Sequence, residues 1–171
     1  MNTLQELPEN WEAFYSKYEQ LTPMKLTIPY VEKATREIKT VRQCVTLIRD
    51  GWFYAPTVRK VVEDLGNVPM EGFIKAQLVS LNVVLNLARP MSESLIEASA
   101  PFIVQHILDD DCDINLADLR IIFDRAKAGM FGDYYNGIGL ADICGWIDAY
   151  ICEKCSEIER WYQNNYKQPR R

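Results

Sequence analysis

Between residues 29 and 52, Val31, Ala34, Ile38, Val41, Val45, Ile48 and Trp52 recur at alternating steps of three and four. A helix of 3.6 residues per turn brings such steps onto one stripe, whereas a strand would scatter them over both faces. Pro29 fits the first turn, where its missing N–H costs nothing. The spacing predicts one long amphipathic helix over this stretch, packed along the rest of the chain. Off the stripe lie Lys33, Arg36, Lys39, Arg42 and Arg49, against Glu32 and Glu37. These five cations form either a solvated face or a contact surface for an acidic partner or, weakly, for single-stranded nucleic acid. Three heptads also allow a short coiled-coil seam, and hence a homo-oligomer.

The same period continues on both sides. Trp11, Phe14, Tyr15 and Tyr18 give a short helix over 8–21 an aromatic face. A helix over 57–65 ends at Gly66, and a central one over 69–88 carries Ile74, Leu78, Leu81, Leu85 and Ala88 before Arg89-Pro90 closes it. Ser92, or Ser94 with Glu97, caps a helix reaching about Leu108, in which Pro101 should make a kink. Asn115 with Asp118 caps a helix from Leu116 to about Ala128. The last helix runs from Leu140 to about Tyr166 on a stripe of Leu140, Cys144, Ile147, Ile151, Cys155, Ile158 and Tyr162. Sustained period-two alternation is absent. The expected fold is all-α, a single-domain bundle of six or seven helices over 1–171, with 69–166 as core bundle and 1–66 as a candidate N-terminal subdomain.

Composition narrows the function. At 171 residues, with 48% apolar and 25% charged, the chain can bury a proper core. A net charge of −5 argues against a broad surface for duplex DNA. The first residues lack the basic and apolar regions of a signal peptide, and charges break the apolar runs before a spanning length. Five cysteines without framework spacing fit reduced thiols, so a cytoplasmic location without membrane contact is expected.

Motifs that could carry chemistry are weak. Asp109, Asp110, Asp111 and Asp113 resemble the start of a calcium loop, but Ile114 stands where the turn glycine belongs and Arg120 where the bidentate acid belongs. Cys152 and Cys155 have the Cys-x-x-Cys spacing without a second pair, which reads as structural thiols rather than zinc or redox chemistry. His106 has no nucleophile pattern around it. Gly129, Gly132, Gly137 and Gly139 fit a tight connection with positive φ rather than a phosphate loop. Trp146 and Tyr150 are expected to bury against Phe123 and this turn. No cofactor, metal or catalytic residue is expected.

The run from Leu119 to Tyr150 joins Phe123, Ala126, Lys127, Gly129, Phe131, Gly132, Tyr134, Tyr135 and Asn136 to Ile143 and Trp146-Ile147-Asp148-Ala149-Tyr150. With the piece from Leu81 to Ser92, it resembles a family of small uncharacterised helical proteins of bacterial genomes, phages and mobile elements. The resemblance covers roughly residues 69 to 155, and the acidic 109–113 turn departs from it. The family has no settled activity; together with the lack of catalytic motifs, and loosely with the basic face of residues 33 to 49, the resemblance points to a non-enzymatic accessory protein acting through protein contacts in DNA replication or its control, such as a helicase-loader-like adaptor of a replicative helicase. The alternative is an inhibitor or regulator of another host factor with no nucleic-acid contact.

Overall fold

The structure, a computed structural model, describes residues 21–134 and 136–166. The helix expected over 8–21 falls outside them except for the buried Leu21. Among the described residues the fold is an all-α bundle, with a 3-10 turn at Pro23–Lys25 before seven helices. These are α1 Ile28–Thr35, α2 Val41–Arg49, α3 Val58–Leu65, α4 Asn67–Leu85, α5 Glu93–Asp109, α6 Leu116–Lys127 and α7 Leu140–Tyr166.

The long helix expected over 29–52 is two helices. Thr40 caps α2 by accepting the Gln43 N–H at 3.2 Å, and the Gln43 side chain returns to the Thr40 N–H. This reciprocal box starts a new helix where the apolar rhythm predicts continuation. Arg120 holds the break from within, its guanidinium donating to the Ile38 carbonyl. The stripe survives the break as far as Val45, with Val31, Ala34, Ile38, Val41 and Val45 all buried. Ile48 is half-buried and Trp52 is exposed.

Helix α6 lies at the centre, packed on α1, α2, α4 and α7. Every residue from Leu116 to Phe123 is buried. The segment 69–88, expected as a central helix, also packs on four others, α1, α3, α5 and α6. That segment is α4, which contributes Met70, Phe73, Ile74, Leu78 and Leu81 to the core. It stops at Asn86, in the left-handed region at φ 45°, so Leu87, Ala88 and Pro90 follow the helix. By length and composition α4 could cross a membrane, which the interrupted apolar runs had not suggested. Helix α5 passes through Pro101 without ending, and Pro101 sits on its exposed side.

Two connections fix the layout. Val58 donates to Ile114 at 2.8 Å and Leu116 to Pro56 at 3.1 Å, tying the starts of α3 and α6 together. The glycine turn before α7 has Gly129, Gly132 and Gly137 at positive φ, as expected, whereas Gly139, expected with them, is not. A Cβ on Gly137 would stand 3.0 Å from the Arg89 carbonyl oxygen. Gly72, inside α4, is different. Nothing of the described chain lies within 4 Å of where its Cβ would be, and a glycine inside a helix costs about 1 kcal/mol relative to alanine.

Candidate functional site: a cleft over a buried Asp118–Lys154 pair

The polar centre of the bundle grows out of a helix cap. Asn115 accepts from the Ala117 and Asp118 N–H groups at 2.9 and 3.0 Å, and Asp118 accepts from the Asn115 N–H at 2.9 Å. Asp118 is wholly buried, so its charge needs further partners. Helix α7 supplies two of them one turn apart: the Tyr150 hydroxyl at 2.7 Å and the Lys154 ammonium at 2.6 Å. Helix α2 supplies the Cys44 thiol at 3.4 Å. Lys154 also donates to the Asp113 carbonyl. Three helices therefore meet on one carboxylate, which takes four donors.

Burial sets the protonation of these partners. The Tyr150 hydroxyl is held far above the usual tyrosine value, first by burial and then by the Asp118 charge. Burial likewise pushes the Cys44 thiol up, with Asp118 adding to it. For Lys154 burial works the other way, but the charge and hydrogen bond of Asp118 outweigh it and hold the ammonium above the ordinary lysine value. At neutral pH Lys154 is therefore charged, and the Tyr150 phenol and the Cys44 thiol are neutral.

A cleft of about 790 Å³ opens between α2, the 110–115 turn and α7, and Cys44, Asn115 and Lys154 reach it from the buried centre. Val45, Ile48, Ala55, Ile151 and Ile158 give it apolar walls, and Asp110, Asp111 and Asp113 an acidic rim. Asp110 accepts from the Cys112 N–H at 2.7 Å, and Asp113 lies 3.7 Å from Arg59. Burial pushes the Cys112 thiol up to about 12, against the pull of Lys154 and with the Cys155 thiol beside it.

Stability should fall in alkali through three groups of one sign. Each of Cys44, Tyr150 and Lys154 has a folded-state pKa above its unfolded one, so the folded chain binds more protons across that gap. Their contributions are complete below pH 9 and decline as pH rises past about 9, 10 and 10.5 in turn. Urea midpoints measured from pH 7 to 11 should drop steadily above pH 9, and less steeply in Tyr150→Phe. A flat profile to pH 11 would contradict the buried centre.

The five cations singled out in the sequence do not form one strip, because α1 and α2 are separate helices. Lys33 is on α1, Arg36 and Lys39 lie in the connection, and all three are exposed. Arg42 and Arg49, on α2, both face α7: Arg42 pairs with Glu157 at 3.2 Å, and Arg49 donates to the Tyr162 hydroxyl at 2.7 Å. Arg49 alone of the five lines the cleft. Lys154 was missed, although Ile143, Ile147, Tyr150 and Lys154 step by four, three and four along the buried side of α7. A lysine in such a stripe is the legible signal of a buried anion. Of the other candidates, His106 lies apart, bridging α5 to Asp148 of α7 at 2.7 Å; Cys152 and Cys155 are exposed free thiols, and Cys155 lines the cleft beside Cys112.

Compared with known proteins, the chain matches no family model, no curated protein and no solved structure.

Proposed function

We propose that the protein is a non-enzymatic adaptor that holds a protein partner in the α2–α7 cleft. An apolar side chain of the partner enters between Val45, Ile48, Ile151 and Ile158, and a basic flank meets Asp110, Asp111 and Asp113. The observation that carries this reading is the saturation of the cleft floor. Asp118 accepts four hydrogen bonds and Lys154 donates two, so these groups are committed to each other. The cleft then offers shape, apolar area and negative charge, which are means of recognition.

The leading candidate for that partner is a replicative helicase, with replication of a phage or mobile element as the setting. The alternative partner is another host factor that the protein inhibits. The test is capture of the purified host helicase by the immobilised protein, in parallel with Ile158→Glu and with Asp111→Lys/Asp113→Lys. Capture by the parent chain and loss in both variants, each with an unchanged circular-dichroism melt, is the expected result. Capture that is indifferent to both variants removes the cleft from the reading. Cleft-dependent capture of a different host protein, without the helicase, moves it to the inhibitor.

A further inference from the structure

Helix α4 turns an uncharged apolar stripe to the outside. Val68, Gly72, Ala76, Val79 and Val83, at steps of four, four, three and four, are all exposed. Val68 and Val83 keep 78% and 76% of their surface and Val79 keeps 52%, although core positions on the same helix are closed to water. The charges of α4 are Glu71 and Lys75, and Lys75 is turned toward α5, where it pairs with Glu97. Beside the stripe, α5 adds exposed Leu95, Ala98, Pro101 and Phe102, with Phe102 at 65%. Scattered apolar residues on a surface need no explanation, but a continuous stripe along one helix with more beside it does.

We propose that this α4–α5 face is the homodimer interface, covered by the same face of a second copy. Three observations select that occupant. The first is area. A helix of 19 residues is about 28 Å long, and two helices side by side span roughly 20 Å. The face therefore measures about 560 Å² per copy, or about 1,100 Å² for the pair, just past the roughly 1,000 Å² that a specific interface needs.

The second is charge. The α4 stripe carries no charge, and the Lys75–Glu97 pair that links α4 to α5 is neutralised within the chain, so the same patch serves on both sides of a two-fold axis. A partner presenting charge to the stripe would leave it unpaired against valines. The third is the centre of the stripe. Gly72 and Ala76, four residues apart, leave a shallow saddle between the flanking valines. Among the described residues, nothing outside its own helix backbone uses the room left by the absent side chain at Gly72. Close approach of a second backbone is what a glycine there permits. With the axis near Gly72 and Ala76, α4 crosses its partner at the narrowest point, and the valines on either side interlock.

The face also lies away from the cleft. α4 packs on α1, α3, α5 and α6, whereas the cleft is built between α2 and α7. A dimer joined through α4 and α5 leaves both clefts open, and this surface stands or falls independently of the adaptor reading.

Sedimentation equilibrium of the full chain over a wide concentration range tests the interface. The parent chain should pass from one to two chain masses in the micromolar range. Val79→Lys/Val83→Lys should weaken that association more than about tenfold, since each lysine would be forced against an apolar partner. Because both positions are exposed, its helical circular dichroism and urea midpoint at low concentration should match the parent. Gly72→Ala separates the explanations further: it should raise the low-concentration midpoint through helix propensity while weakening the dimer. A chain that stays monomeric throughout overturns the proposal, as does a dimer that tolerates the double lysine variant. Binding of the monomer to neutral phosphatidylcholine vesicles through α4 would also overturn it, making lipid the occupant.

Discussion

Asp118→Ala should cost about 3–5 kcal/mol, because it leaves the Lys154 ammonium in the interior without its counter-charge. Lys154 would retain only the Asp113 carbonyl, while the Tyr150 hydroxyl, the Cys44 thiol and the Asn115 N–H would each lose an acceptor. The cost reflects a group left stranded rather than the worth of the pair. Asp118→Asn with Lys154→Met should therefore recover most of it, since it removes both charges together and keeps a carbonyl acceptor for the neighbouring donors. Urea unfolding of Asp118→Ala and of the double variant measures this directly. A loss below about 1 kcal/mol in Asp118→Ala would mean that water reaches the centre.

Trp146→Ala is the second large effect, at about 3–5 kcal/mol. Trp146 is buried, stacks on Phe131 at 5.5 Å and meets Tyr134 edge-on at 5.1 Å, and its indole N–H donates to the Tyr134 hydroxyl. Tyr134 in turn donates to the Phe131 carbonyl at 2.8 Å, so the indole organises the glycine turn as well as filling space. Truncation should loosen that turn together with the core, visible as lost near-ultraviolet dichroism before the main unfolding transition. Trp146→Phe keeps a ring but drops the hydrogen bond, and should cost about 1 kcal/mol through that bond. Equal losses in both variants would assign the effect to the N–H rather than to packing.

Local signals in the sequence were readable wherever they were short-range. The helix start near Thr57, the caps at Ser92 and Asn115, the stop at Gly66 and the extent of α7 follow from chemistry within a few residues. The burial of Trp146 followed from its place on a helix facing an aromatic turn; Tyr150 is buried as well, but over Asp118. The break at 36–40 was equally local, since Thr40 and Gln43 spell a capping box, but an unbroken apolar rhythm masked it. A capping box shifts helix geometry without interrupting the sequence of core positions, so rhythm alone does not distinguish one helix from two. The outward valines of α4 have the opposite cause. That helix is apolar on nearly every side, so periodicity carries little information about which side the core takes.

The candidate site was less legible because it is assembled across the chain. Asp118 announced itself as a cap, but its role as a buried anion depends on Cys44, 74 residues before it, and Lys154, 36 residues after it. The cleft walls likewise join α2 to α7, and no window of sequence holds both.

That arrangement bears on synthesis. Chains leave the ribosome from the N-terminus at roughly 5–20 residues per second. The 36 residues separating Asp118 from Lys154 thus delay the counter-charge by about 2–7 s. Until then, α6 cannot close over its carboxylate without enclosing a lone negative charge. The nascent chain is held open at the helix that the fold buries most completely, and completion of α7 is the event that releases collapse. Any product ending short of Lys154 keeps α6 exposed, which marks it for proteolysis rather than for a partly working fold.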